Sequence, residues 1–205
     1  MNAEIKISKQ PVNYKEAMEF LENRVKNIQD SKKKNLLWIL EHPNMYTFGT
    51  SAKREDLLNP NKLPIFKSSR GGQWTFHGDG QKIIYFVYKL KEKNIKKFIR
   101  NIEHFIINIL SDHSIDSFND KKNIGIWVQN NNKINKIAAI GIRIKKWIAF
   151  HGFSLNVNVN KDNYNGIIPC GIQNRGIANM TDFIDISKIK GLNENIISNY
   201  KKIFE

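Results

Sequence analysis

The chain has 205 residues, 40% of them hydrophobic and 25% charged, as in an ordinary globular protein. This length predicts one domain, residues 1–205, with a substantial core. No apolar run approaches the roughly 18 residues of a membrane-spanning helix, and the N-terminus lacks a signal-peptide pattern. The one cysteine, Cys170, excludes an intramolecular disulfide. These features predict a cytoplasmic protein that does not associate with membranes.

The net charge of +14 raises the alternative of a nucleic-acid-binding domain. The basic residues are spread along the chain, however, and nearly all of them are lysine. Proteins that read nucleic acids favour arginine, whose planar guanidinium binds in a bidentate manner. Because a basic surface suits an acidic protein partner equally well, charge alone leaves nucleic acid as the weaker alternative.

The N-terminal half predicts strands and one helix around irregular loops. Apolar residues recur with a period of 3.6 after Asn13, a residue type that caps helices, and LLWIL has the length of a buried strand. Pro43 and Gly49 predict irregular backbone around them. The predicted elements are an edge strand over 3–9, a helix from Tyr14 to Ile28, a solvated loop at 32–34, a strand over 36–40, irregular backbone over 41–49 and a loop over 51–64.

The C-terminal half contains the clearest helix and a predicted hairpin. An apolar stripe from Ile95 to Ile109 has helical spacing, and three consecutive asparagines predict a turn because asparagine tolerates positive φ. The predicted elements are strands over 82–90, 124–129, 136–144 and 147–159, a turn at 130–132, and helices over 95–109, 182–190 and 193–204. This order of strands, hairpins and helices indicates an α+β fold with a mixed β-sheet backed by helices.

The segment SSRGGQWTFHGDGQ (68–81) separates two buried regions. A plain hairpin needs two or three turn residues, so this longer, glycine-rich stretch predicts a ligand-binding segment. It matches neither the phosphate-binding pattern G-x-x-x-x-G-K-[ST] nor the dinucleotide pattern G-x-G-x-x-G.

Cys170 is a candidate nucleophile. It lies between Pro169 and Gly171, which predicts that the thiol is carried on a turn. The alternative is that the cysteine is a small buried hydrophobe, the more common role of a single cysteine.

A nucleophilic thiol needs a neighbouring cation or base. The candidates are Lys136, which begins KIAAIGIRI, and His77 and His151, each followed by glycine. Each also has a plain structural interpretation, as a hairpin lysine or as a hydrogen-bonded histidine. No metal site is predicted, because the cysteine and the five histidines lack the spacing of zinc ligands.

Four segments resemble the lipoyl(octanoyl) transferases, which move an octanoyl group from acyl carrier protein onto lipoyl domains. The segments are EHPNMYTFG, RGGQWTFHGDGQ, KIAAIGIRI followed by FHGFSLNV, and PCG. They occur in the family's order and spacing and cover most of residues 41–171. One departure is Asp79, where the family usually has proline.

The resemblance implies a biotin/lipoate protein ligase-like fold and a catalytic pair. Cys170 would form an acyl thioester, and Lys136 would promote ionisation of the thiol or act as a general base. The implied acyl-binding residues are Arg70, Gly71, Gly72, Gln73, Trp74, Thr75, Phe76, His77, Ala139, Ile140, Gly141, His151, Gly152, Phe153 and Ser154. No cofactor is implied. The implied partners are octanoyl-acyl carrier protein as donor and, as acceptors, lipoyl domains of 2-oxo acid dehydrogenases and the glycine cleavage H protein.

The alternative within this fold is an ATP-dependent lipoate or biotin protein ligase. Such ligases activate the acid as an adenylate and need no nucleophilic cysteine, so Cys170 in PCG favours transfer. A nucleic-acid-binding domain, the alternative of a different class, gives no reason for RGGQWTFHGDGQ or PCG.

Overall fold

A computed structural model describes residues 3–30, 33–172 and 175–205. Its helices are Tyr14–Gln29 (α1), Ile95–Asp112 (α2) and Leu192–Phe204 (α3). Its strands are Glu4–Ile7 (β1), Leu36–Leu40 (β2), Met45–Phe48 (β3), Ile65–Lys67 (β4), Trp74–His77 (β5), Gln81–Lys89 (β6), Phe118–Asn119 (β7), Ile126–Asn130 (β8), Lys133–Lys145 (β9), Ile148–Asn156 (β10) and Gly176–Ile177 (β11). Lys32, in the predicted loop at 32–34, lies outside the described residues.

The larger sheet has the order β1-β2-β6-β10-β9-β8-β7, and β11 pairs with β9. It is mixed, because β1 and β11 run parallel to their neighbours and the other pairs are antiparallel. The predicted α+β fold with a mixed sheet is therefore confirmed, as is the predicted edge position of the first strand.

Helices cover both faces of this sheet. Alternate residues of β6 point to opposite faces: Tyr85 packs in the cluster that contains α1, and Phe86 packs in the cluster that contains α2 and α3. The α1 helix begins where predicted, since the Asn13 side chain accepts a hydrogen bond from the Lys15 amide.

A smaller sheet, with the order β4-β3-β5, holds the middle of the glycine-rich segment. The prediction of irregular backbone over 41–49 is wrong for Met45–Phe48, which form β3 because β4 and β5 pair with its two edges. The glycine-rich segment likewise contains a strand, Trp74–His77. The prolines and glycines lie beside these short strands and not within them. They indicated loops over the whole stretch, so the sequence did not reveal β3 and β5.

The predicted hairpin is confirmed as β8 and β9, joined by Asn131 and Asn132, both with positive φ. The predicted helix over 182–190 is wrong, because that stretch holds only short 3₁₀ turns at Met180–Asp182 and Ile186–Ile189. The Asp185 side chain accepts from the Ser187 amide there, a local bond that competes with an α-helix. No helix among the described residues is long and apolar enough to cross a membrane.

Candidate active site

A cavity of about 450 Å³ opens between β9, β10, the glycine-rich segment and the turn that carries Cys170. It brings together residues that lie up to 158 positions apart, from Tyr14 to Ile172. The predicted site residues that line it are Arg70, Gly71, Gly72, Gln73, Thr75, His77, Lys136, Ala139, Ile140, Gly141, His151, Gly152, Phe153, Ser154 and Cys170.

Trp74 and Phe76, also expected on the wall of the acyl site, do not line this cavity. They alternate along β5 with Thr75 and His77, and successive side chains of a strand point to opposite faces. Both aromatic rings pack instead in the small core around Tyr46. The motif resemblance named a continuous run of residues, whereas a strand offers only every second one to a cavity.

Cys170 lies in the 3₁₀ turn Pro169–Gly171 and has a φ of 56°. It is half-buried, and Gly171 follows it with a φ of 66°. A left-handed conformation is unfavourable for a non-glycine residue by about 1 kcal/mol, so the fold holds the thiol in a strained position. A side chain at 171 would collide with the amide of Gln73, and glycine is therefore required beside the thiol.

Gln73 presents a buried acceptor beside this turn. Its Oε1 accepts no hydrogen bond from the described residues. An unpaired buried acceptor costs about 1–3 kcal/mol, and Gln73 belongs to the cavity wall. This oxygen can therefore accept a hydrogen bond from a ligand.

Lys136 is 5% exposed and faces the cavity from β9. Its Nζ donates to the Ile124 carbonyl at 3.3 Å and lies 4.6 Å from the ring centroid of Trp127. No carboxylate within the described ranges forms an ion pair with it. A lysine ammonium has three donors, so the amine is anchored but keeps donors for a ligand.

Trp127 is itself held firmly. Its indole N–H donates to the Asn123 carbonyl at 2.9 Å, and the Arg175 guanidinium lies 4.5 Å from the ring. Arg175 forms an ion pair with Asp120 at 2.7 Å. Hydrogen bonds from the Asn123 side chain and the Lys122 amide, together with Arg175, lower the pKa of Asp120 well below its usual range.

Arg70 organises the glycine-rich segment. Its guanidinium donates to the carbonyls of Gly71, Thr47 and Gln73 and to the Thr47 hydroxyl, at 2.9 to 3.2 Å. Gly141 leaves room for this side chain, since a Cβ there would lie 2.6 Å from the Arg70 Cδ. The segment is therefore folded around a half-buried cation, which explains its length.

His77 and His151 are buried at the polar part of the cavity. Nδ1 of His77 donates to Gln81 Oε1 at 2.8 Å, and Nε2 of His151 lies 2.9 Å from the Ser69 hydroxyl. Burial, followed by the neighbouring His42, lowers the pKa of His77 to about 3. Burial and then Arg70 lower the pKa of His151 to about 3. Both rings are neutral at pH 7 and act as hydrogen-bonding groups.

These histidines predict acid sensitivity of the fold. Burial also lowers the pKa of His42 to about 4, so below about pH 6.5 the unfolded chain binds protons that the folded chain does not. The free energy of unfolding should therefore fall as the pH drops from 6.5 toward 4, by about 1.4 kcal/mol per pH unit for each histidine. Urea unfolding at pH 7, 6 and 5 measures this slope.

In the His77→Gln variant, the free energy of unfolding should depend less steeply on pH, by about 1.4 kcal/mol per pH unit, because one buried histidine is missing. The exposed His104 provides the matched control, and His104→Gln should leave the slope unchanged. Equal slopes for the two variants would contradict the assignment to buried histidines.

Asp79 departs from the family motif, and the structure shows what it does locally. Its side chain is exposed, and its backbone N–H donates to the Asn44 side chain at 3.0 Å. Proline has no N–H, so this loop is fastened by a hydrogen bond that a proline could not make.

Sequence reasoning missed much of the apolar wall. The additional lining residues are Tyr14, Ser68, Ile83, Tyr85, Ile95, Ile99, Lys122, Asn123, Ile124, Ile142, Ile144 and Ile172. The period-two pattern of KIAAIGIRI could have identified Ile142 and Ile144 together with Ile140. Ile95 and Ile99 were expected in the core stripe of α2, but this first turn extends beyond the core, and Ile95 is 43% exposed.

The lining divides by chemistry. Isoleucines of α2 and β9 provide apolar surface, while the glycine-rich segment, the histidines, Lys136 and Cys170 provide polar groups on the wall of the same cavity. This arrangement fits a ligand with an aliphatic chain and a reactive polar end. Among the described residues, no group of three or more histidine, cysteine or acidic side chains could hold a metal ion.

Residues 13–199 match the family described as the lipoyl protein ligase A/B catalytic domain. An octanoyltransferase of Ehrlichia canis is 44% identical over 178 residues, covering 85% of this chain and 83% of that relative. An octanoyltransferase of Bartonella henselae is 38% identical over 212 residues, covering 98% of this chain and 86% of the relative.

Solved structures support the fold. A bipartite lipoate protein ligase of Thermoplasma acidophilum, described with its E2 lipoyl domain, superposes with a TM-score of 0.75. It is 16% identical, and the match covers 98% of this chain and 84% of that one. At this identity the likeness establishes the biotin/lipoate ligase-like architecture alone.

Proposed function

This chain belongs to the lipoyl protein ligase A/B catalytic domain family as an octanoyltransferase, an acyltransferase of lipoate biosynthesis, and from that membership we propose that it works through a Cys170 thioester. The observation that carries the proposal is that Cys170 and Lys136 line one cavity whose wall also presents eight isoleucines. An acyl chain can lie on the isoleucines while its carbonyl reaches the thiol.

In the first step, the Cys170 thiolate attacks the carbonyl carbon of a donor thioester. A new carbon–sulfur bond forms, the donor carbon–sulfur bond breaks, and the donor leaves as a thiol after gaining a proton. Because one thioester replaces another, the step is close to energetically neutral and needs no ATP. Lys136 favours the thiolate as a cation facing the same cavity.

In the second step, a lysine amine of the acceptor attacks the Cys170 thioester. An amide bond forms, the carbon–sulfur bond to Cys170 breaks, and the amine loses a proton. Lys136 in its neutral form accepts that proton. The position of Lys136 on the cavity wall, without a carboxylate partner among the described residues, supports this role because the amine is available to the attacking group.

We propose octanoyl-acyl carrier protein as the donor. The acceptors are lipoyl domains, and we propose that they include those of 2-oxo acid dehydrogenases and the glycine cleavage H protein. The described link between a ligase of this fold and an E2 lipoyl domain supports the acceptor class. The curated relatives named octanoyltransferase favour transfer over the ATP-dependent ligase alternative.

The test is intact mass spectrometry after incubation with octanoyl-acyl carrier protein in the absence of ATP. We expect a gain of one octanoyl group that hydroxylamine removes and that peptide mapping assigns to Cys170. Addition of a lipoyl domain should then discharge the adduct. Acylation of the lipoyl domain only with free octanoate and ATP would overturn the proposal in favour of a ligase.

Trp127 should matter to this reaction through Lys136. Trp127→Leu removes the aromatic face that stabilises the Lys136 ammonium, so we expect acyl-enzyme formation, the step that uses the charged amine, to slow by about tenfold, in line with about 1–2 kcal/mol for a desolvated cation–π contact. Trp127→Phe keeps an aromatic face and should recover most of the rate. Single-turnover rates across pH 6–10 provide the measurement.

Trp38 is a matched control for this prediction. It is also buried, donates its indole N–H to Ser8 and has the Lys6 ammonium 5.0 Å from its ring, but it lies outside the cavity. Trp38→Leu should lower thermal stability and leave the single-turnover rate unchanged below its melting temperature. A comparable rate loss in both leucine variants would mean that only general stability was affected.

A further inference from the structure

The turn between β9 and β10 has an unusual composition. Lys145 pairs with Ile148, so the hairpin loop is the dipeptide Lys146-Trp147. Both residues have positive φ, 49° and 62°, as a type I′ turn requires. Such turns favour asparagine and glycine, and a bulky residue with positive φ is a conformational outlier.

The same chain builds the neighbouring hairpin with the favoured residues. Asn131 and Asn132 connect β8 to β9 with φ values of 47° and 60°. The two turns share the left-handed backbone and differ in their side chains. Lys146 and Trp147 adopt a strained backbone conformation that asparagine would adopt more readily, and this points to a function for their side chains.

The Lys146-Trp147 turn stands in a strongly basic surface. Trp147 is 40% exposed, and its ring lies 5.5 Å from the Lys93 ammonium. The exposed lysines at the ends of β6 and β9, in the turn and in the adjacent β6–α2 connection form a surface that we call the basic rim: Lys89, Lys91, Lys93, Lys145 and Lys146. Within the described residues, none of these lysines forms an ion pair, and the one acid in the connection, Glu92, is paired with Lys97 at 2.8 Å.

The basic rim adjoins the apolar part of the cavity. Ile144, which precedes Lys145, and Ile95, which follows the connection, both line the cavity. The Leu90 amide donates to the Trp147 carbonyl at 2.9 Å, so the turn and the connection form one surface. A partner docked there lies next to the aliphatic wall.

We propose that the basic rim and Trp147 dock the acidic carrier protein that delivers the acyl chain. Charge complementarity attracts an acidic surface, and the exposed indole provides an aromatic anchor of the kind that dominates interface energetics. The donor is favoured over the acceptor because its chain must enter the cavity along the isoleucines that begin at this rim. This inference rests on the proposed function and adds the docking site for the donor.

The test replaces Lys146-Trp147 with Asn-Asn, the dipeptide of the other turn. We expect the melting temperature to stay the same or rise, and KM for octanoyl-acyl carrier protein in acyl-enzyme formation to rise about tenfold. The dependence of that KM on salt should also weaken. With the octanoyl thioester of N-acetylcysteamine, which has no protein surface, the rates of the variant and the wild type should be equal.

The reciprocal variant, Asn131→Lys with Asn132→Trp, is the matched control. It should lower the melting temperature and leave KM for the carrier protein unchanged. An unchanged KM in the Asn-Asn variant, or an equal loss with the small thioester, would overturn the inference.

Two further outcomes separate the possible failures. Lysine and tryptophan also suit an anionic membrane surface. The inference would be overturned in favour of a membrane if the wild type sedimented with phosphatidylglycerol vesicles, the Asn-Asn variant did not, and the two had the same KM for the carrier protein. Absence of acyl-enzyme from wild type with both donors would be a failure of the proposed function itself.

Discussion

Cys170→Ser is expected to abolish acyl-enzyme formation, with a loss of roughly 10³-fold or more in transfer to the lipoyl domain. The hydroxyl is a much weaker nucleophile than a thiolate at neutral pH. A serine alkoxide is also a poorer leaving group than a cysteine thiolate, so an ester at this position would transfer its acyl group more slowly than a thioester. Intact mass and single-turnover transfer measure the two effects. The substitution adds no volume, so the fold should be retained.

Cys170→Gly separates catalysis from strain. The residue at 170 has a φ of 56°, which glycine adopts without the steric cost of a Cβ. This variant should therefore be inactive but as stable as the wild type or more stable, by up to about 1 kcal/mol in urea unfolding. A variant that is both inactive and strongly destabilised would contradict the view that the turn is strained to present the thiol.

Much of the fold follows from periodicity in the sequence. The α1 and α2 helices have long apolar stripes, and β2, β6 and β10 are runs of apolar residues too short for helices. The β3 and β5 strands did not follow, because each has only four residues: β5 pairs with β3 alone, and β3 pairs with β5 and β4. Short strands are decided by tertiary contacts that leave little local signal.

The candidate site was predictable as residue types but not as geometry. Cys170 and the glycine-rich segment stood out because proline and glycine beside or within them indicate unusual backbone conformations. The partners of Lys136 could not be foreseen, since the Ile124 carbonyl and the Trp127 ring reach Nζ only after β8 pairs with β9. Arg70 lines the cavity as expected, but its hydrogen bonds to Gly71, Gln73 and Thr47 could not be read from the sequence.

Lys136→Ala is expected to slow transfer from the acyl-enzyme to the lipoyl domain by roughly 10²- to 10⁴-fold, the usual contribution of a positioned general base. Lys136→Arg should not restore the rate, because a guanidinium stays protonated and cannot accept a proton from the attacking amine. Single-turnover discharge of preformed acyl-enzyme isolates this step from acyl-enzyme formation.

Lys133 lies on the same strand but is exposed, so Lys133→Ala should discharge the acyl-enzyme at the wild-type rate. Trp127→Leu in the Lys136→Ala background should cause no further loss in the rate of acyl-enzyme formation, because the ring acts through the missing amine. If Lys136→Ala discharged the acyl-enzyme normally, the general base would have to be another group. Lysine would then contribute only its charge, and Lys136→Arg would be expected to retain the rate of acyl-enzyme formation.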